Sequence, residues 1–193
     1  MKIKLLEFAV ILVRFFLNIL YAIMKLKKTK ANKVILLSRQ SNEKSLDFRI
    51  LENALKNAGY NVVCMCRFID KSLTDKIKYC FYMLKIMNNL SDARVCITDG
   101  YSIPVSLLNH KDELIIIQMW HASGATKKFG YQVLGTGEGT DPKIAKIMRM
   151  HYNYNVVLAP SKKTGEFFSK AFNVEQSKIE VIGLPRIDYL NKK

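Results

Sequence analysis

Of the three histidines in the chain, His121 stands where chemistry is easiest to arrange. It ends the apolar run "LIIIQMW" and opens "HASGATKK", so an imidazole is followed at once by Ser123, Gly124, Lys127 and Lys128. An imidazole titrates near neutrality and can take the proton of an attacking hydroxyl. Ser123 and Gly124 would let backbone amides approach an oxyanion, and lysines hold phosphate. On these residues alone a structural histidine, half-buried and bonded to a carbonyl, fits the position equally well. His110, in the polar turn "NHKDE", and His151, read as helical beside Tyr152 and Tyr154, are assigned structural roles. No histidine and carboxylate share the spacing of a metal site, so no metal is expected.

Such residues can meet only if the segments carrying them end side by side. From residue 33 onward short β-rich runs alternate with helical patterns, which predicts a parallel sheet with crossover helices. Strands are expected at 33–38, 61–66, 93–98, 114–120, 156–160 and 179–183. Helices are expected over 45–59 with Ser45 as cap and Gly59 as stop, over 74–90 capped by Thr74, over 141–153 opened by Asp141 and Pro142, and over 161–172 capped by Ser161. The segment "GTGEGTD" follows no strand and lacks the register of a dinucleotide loop, so it is read as a flexible loop. Open parallel sheets bind ligands beyond the carboxyl ends of their strands. That rule gathers Arg39, Gln40 and Ser41 after the first strand, Asp99 after the third, and His121, Ser123, Gly124, Lys127 and Lys128 after the fourth. Ser161 and Lys162 follow the fifth strand and Arg186 the sixth, giving a cationic cleft around one imidazole.

The formal charge of +15 favours polyanionic partners. Residues 1–30 hold seven Lys/Arg against one Glu, or +6, leaving +9 for the other 163. Without a recognised reading module that charge does not argue for nucleic acid. Cys64, Cys66, Cys80 and Cys96 form no CxxC pair; Cys64 and Cys66 are placed on opposite faces of their strand, and all are read as reduced packing cysteines of a cytosolic protein. Residues 5–24 are apolar enough to suggest a membrane span, but Glu7, Arg14 and Asn18 interrupt them, and a central Arg is costly in a bilayer. Lys4, Glu7, Arg14, Asn18, Tyr21 and Lys25 fall on one helical face, with Ile11 the only apolar intruder. The expectation is an amphipathic helix lying at a membrane surface, apolar side down, with Lys4, Arg14, Lys25, Lys27 and Lys28 at anionic headgroups. Packing on the protein's own core or on a partner is the alternative. Residues 1–30 therefore read as a membrane-surface helix and basic linker, and 31–193 as one α/β domain.

Four stretches, "VILLSRQSNEKSLDF", "IIQMWHASGATKKFG", "MRMHYNYNVVLAPSKKTGEFFSKAF" and "IEVIGLPRIDYL", resemble the N-terminal half of the CDP-glycerol glycerophosphotransferase family of teichoic acid and capsule polymerases and primases. The resemblance implies a Rossmann-like lobe, one half of a GT-B fold. It implies that a hydroxyl of a lipid-linked polymer attacks the β-phosphate of CDP-glycerol or CDP-ribitol and releases CMP, with no further cofactor. The family's proposed general base falls on His121, followed here by Ala122 where many members have Gly. Arg39, Gln40, Ser41, Asp99, Ser123, Gly124, Lys127, Lys128 and Arg186 become candidates for binding acceptor and phosphate. Family members continue after "GLPRIDYL" into a second Rossmann-like domain that holds the CDP-alditol. This chain ends at Lys193, and its start at Met1 with its own helix favours a donor domain on a second polypeptide, a heterodimer, over a chain cut at the border. The expected setting is the cytoplasmic face of the plasma membrane, and a non-catalytic membrane scaffold is the second reading.

Overall fold

The computed structural model describes residues 2–70, 72–125 and 127–191. Among the described residues six strands form one sheet: β1 (Lys33–Ser38), β2 (Asn61–Cys66), β3 (Val95–Thr98), β4 (Ile115–Gln118), β5 (Val156–Ala159) and β6 (Ile179–Val181). Their order is β2-β1-β3-β4-β5-β6 and every pairing is parallel. β1 is buried along its whole length, as a central strand of a doubly covered sheet must be. The order reverses direction between β1 and β3, which is where such sheets open a crevice at their carboxyl edge.

One face is covered by α1 (Lys2–Met24), α3 (Leu73–Leu90), α4 (Ile103–Leu107) and α6 (Lys162–Phe172), whose Tyr21, Ile86, Val105 and Phe168 share a core with Ile35, Cys96 and Val157. The other carries α2 (Leu46–Asn57) and α7 (Pro185–Asn191), with Phe48 and Leu184 packed on Val34 and Leu36. Ser45 and Ser161 cap α2 and α6 as expected: each hydroxyl accepts a backbone amide, from Phe48 and Thr164 respectively, at 3.2 Å.

Several expectations are corrected. α3 is capped by Ser72, whose hydroxyl accepts the amide of Asp75, and Thr74 lies inside the helix. Cys64 and Cys66 pack on the same face, because side chains two residues apart on a strand point the same way. The helix expected to run to residue 153 is α5 (Pro142–Ile147); Arg149, His151 and Asn153 then adopt left-handed conformations. The Asn153 amide explains part of that exit, since it donates to the carbonyls of Val105 and Leu108 at 2.8 and 2.9 Å, fixing the chain as a loop. α4 and α7 were not foreseen, being too short to show a helical period.

α1 turns its polar face inward. Tyr21 is fully buried, its hydroxyl 3.0 Å from His110 Nδ1, and the Asn18 side chain accepts the Asn109 amide at 2.7 Å. Leu5, Phe8, Phe15, Phe16, Ile19 and Ile23 are left exposed on the outer side. Of the basic residues expected at headgroups, Lys25 donates instead to the Asn109 carbonyl at 2.7 Å and Lys27 to the Asn88 side chain. Lys28 is exposed, Arg14 is half-buried, and the side chain of Lys4 lies outside those described.

Candidate active site

β4 ends at Gln118, and the chain then passes through Trp120 at φ 61°, a left-handed conformation that a bulky aromatic residue rarely adopts. The fully buried Gln118 side chain holds this turn: its Oε1 accepts the Trp120 amide at 2.9 Å while its Nε2 donates to the Tyr154 hydroxyl at 3.0 Å. Backbone strain kept in place by a buried polar group is a mark of functional sites. The consequence is that the expected strand 114–120 stops two residues early and aims the next residue outward. The Trp120 ring stacks on Phe129 at 4.2 Å between centroids and lies 4.0 Å from the ring of His121.

His121 is half-buried, with Nδ1 2.9 Å from the carbonyl oxygen of Asp99 at the end of β3. A carbonyl can only accept, so the neutral ring carries its proton on Nδ1 and keeps the lone pair on Nε2. Among the described residues no hydrogen bond engages Nε2.

Two cavities flank this ring, and Gln40, Trp120 and His121 line both. The larger, about 290 Å³, is walled by Lys127, Lys128, Tyr101 and Glu138. The smaller, about 220 Å³, is walled by Asp47, Asp99 and Arg186. Gly100 makes room for the Gln40 amide, since a Cβ there would lie 3.0 Å from its Nε2. Arg186 donates from Nε to Asp47 Oδ2 at 2.7 Å and from its backbone amide to Oδ1 at 2.8 Å; its Nη2 bonds the same carboxylate and reaches the His121 carbonyl at 3.3 Å. Asp47 is 1% exposed and Asp99 3%. Burial pushes the Asp99 carboxyl above its ordinary range, against the opposing pull of the Ser38 hydroxyl and of His121.

The fold therefore brings together Gln40, Asp99, His121, Lys127, Lys128 and Arg186 from four strand ends. Arg39 turns aside: its guanidinium stacks 5.5 Å from the Tyr79 ring and donates to the Tyr101 carbonyl at 3.2 Å. Ser41 is exposed and accepts the Glu43 amide, Ser123 is exposed, and Gly124 stands in open space. None of these four lines either cavity. His151, also in the wall of the larger cavity, is itself buried and bonded to Tyr154, the structural role expected of it. Sequence reasoning missed Asp47, Trp120 and the loop residues Glu138, Gly139 and Thr140. The loop had one legible signal, its glycines: a Cβ on Gly139 would fall 1.6 Å from the Val133 carbonyl oxygen, so the loop folds tightly against the cavity wall.

Residues 19–193 match the family model described as CDP-glycerol:poly(glycerophosphate) glycerophosphotransferase. The chain is 29% identical to the teichoic acid ribitol-phosphate primase of Bacillus spizizenii over 163 residues, 84% of this chain and 42% of that protein. It is 28% identical to the teichoic acid glycerol-phosphate primase of Bacillus subtilis over 107 residues, 55% of this chain and 28% of that one. The fold is similar to that of the wall teichoic acid polymerase TagF, with a TM-score of 0.64 at 17% identity, covering 97% of this chain and 50% of the other. The chain thus spans less than half the length of these two relatives. With a match over 19–193 that takes in every strand end around His121, the chain belongs to the CDP-glycerol:poly(glycerophosphate) glycerophosphotransferase family.

Proposed function

We propose that this chain forms the acceptor-side, base-carrying half of a CDP-alditol phosphotransferase that builds teichoic acid or a related surface polymer. The observation that carries the reading is the bond from His121 Nδ1 to the Asp99 carbonyl, which leaves Nε2 ready to accept a proton beside two open cavities. In the reaction, Nε2 takes the proton of an acceptor hydroxyl as its oxygen bonds to the β-phosphorus of a CDP-alditol. The bond from that phosphorus to the bridging oxygen breaks, CMP leaves with the electron pair, and a phosphodiester remains. Lys127 and Lys128 offset the charge of the phosphate groups. The CDP-alditol is held by a second Rossmann-like lobe facing the carboxyl edge of the sheet, as in a GT-B enzyme, either further along the same polypeptide or on a partner chain.

The exposed apolar side of α1 supports peripheral attachment at the cytoplasmic membrane face, where a lipid-linked acceptor would be met. Because Lys25 and Lys27 are turned onto the domain, attachment rests on the apolar side chains more than on the basic tract. The test is CMP release by the complete transferase. His121→Ala lowers kcat by about 10²- to 10⁴-fold, the usual worth of a general base, with little change in KM for the CDP-alditol. Unchanged kcat would contradict the proposal and favour a membrane scaffold.

A further inference from the structure

The two cavities that meet at His121 differ in charge, and the difference divides their ligands. On one side Lys127 and Lys128 outnumber Glu138, a wall suited to a phosphodiester. On the other the guanidinium of Arg186 is engaged by Asp47, which leaves Asp99, among the described residues, as the carboxylate of this wall without a cationic partner. Asp99 is 3% exposed, and its Oδ1 makes no hydrogen bond among the described residues. A buried carboxylate oxygen is costly to leave without a donor. This wall repels phosphate and suits a neutral group that carries an O–H. At about 220 Å³ the space falls below the roughly 300–1,000 Å³ of drug-sized sites, so it fits the short end of a polyol better than a nucleoside.

Asp99 also supplies the carbonyl that orients His121. One residue thus presents a hydroxyl acceptor and fixes the base beside it. We propose that the smaller cavity binds the uncharged polyol end of the acceptor, with Asp99 Oδ1 accepting a hydrogen bond from the hydroxyl next to the one that His121 deprotonates. The polyol's identity as acceptor rests on the transferase reading above; the recognition itself requires only two adjacent hydroxyls, which glycerol and ribitol ends share. The phosphodiester behind that end then lies towards Lys127 and Lys128.

The test is calorimetric titration of the full chain with two probes, octyl glycerophosphate and octyl 3-hydroxypropyl phosphate, which lacks the adjacent hydroxyl. The wild-type chain prefers the diol by roughly ten- to a hundredfold in Kd, the worth of a hydrogen bond to a charged acceptor. Asp99→Leu removes the preference while binding of inorganic phosphate is kept, and Asp99→Asn, which retains shape with a neutral acceptor, leaves a smaller one. Equal binding of the two probes by the wild type, no binding of the diol probe, or a preference undiminished in Asp99→Asn overturns the proposal. The His121 assay decides the other question separately: a diol preference that depends on Asp99, in a transferase indifferent to His121→Ala, keeps this site and removes the base.

Discussion

Asp47 and Arg186 lie 139 positions apart in the chain and meet directly behind His121. An acid buried to 1% exposure is tolerable only because three donors from one residue converge on it, the Arg186 amide, Nε and Nη2. Removing the charge leaves a half-buried guanidinium short of a partner. Asp47→Asn is therefore expected to cost about 2–3 kcal/mol in urea denaturation, less than the 3–5 kcal/mol of a fully buried pair because Arg186 keeps partial access to water. A loss within 0.5 kcal/mol would mean that the pair does not organise the "GLPR" segment. Nothing in the sequence singles out Asp47. Arg186 was legible as a cation at a strand end, but not as one already committed, since nothing local announces a partner so far away. Arg39 lies outside both cavities for the same reason: its type and its place after a strand are legible, but its stacking on Tyr79 is decided by a helix elsewhere in the chain.

At the scale of elements, α1 docks through its polar stripe together with Leu17, Tyr21 and Met24 and leaves its larger apolar side exposed, the reverse of an ordinary surface helix. Its anchor is Tyr21, sealed among the residues that cover one face of the sheet and bonded to His110. Burial of this kind holds His110 neutral, with its pKa lowered from 6.5 to about 4. Tyr21→Ala is predicted to destabilise the chain by about 3–5 kcal/mol, the cost of a large-to-small change in a core, and to release α1 to protease before the domain. Simultaneous cleavage of both would show that α1 is no separate unit. The face carrying Glu7, Arg14, Asn18 and Tyr21 was legible as one stripe; what it faced was not, because spacing reveals a helix's two sides without naming the neighbour of either. Strands 33–38 and 61–66 were read to the residue, since β-branched runs closed by turns are local signals. The segment 141–153 was overread as helix because its exit depends on Asn153 bonding to α4 and the turn after it, contacts more than forty positions away.

Over the whole molecule, the strand order β2-β1-β3-β4-β5-β6 sets the ends of β1, β3 and β4 next to one another, so Gln40, Asp99 and His121 share one crevice. β3 ends by offering a carbonyl and β4 by offering the ring that donates to it. A lysine-lined cavity and a carboxylate-lined one open on either side of that ring, an arrangement fit for a substrate whose charged and uncharged parts are joined by a few bonds. All of this acts through a single proton, the one held on Nδ1. The most direct measurement is the long-range ¹H–¹⁵N spectrum of the neutral His121 ring, assigned by comparison with His121→Ala. The neutral ring is expected to carry its proton on Nδ1 and none on Nε2, unchanged in Asp99→Asn, which leaves the carbonyl in place. A neutral ring with its proton on Nε2 would contradict it, because no lone pair would then face the cavities.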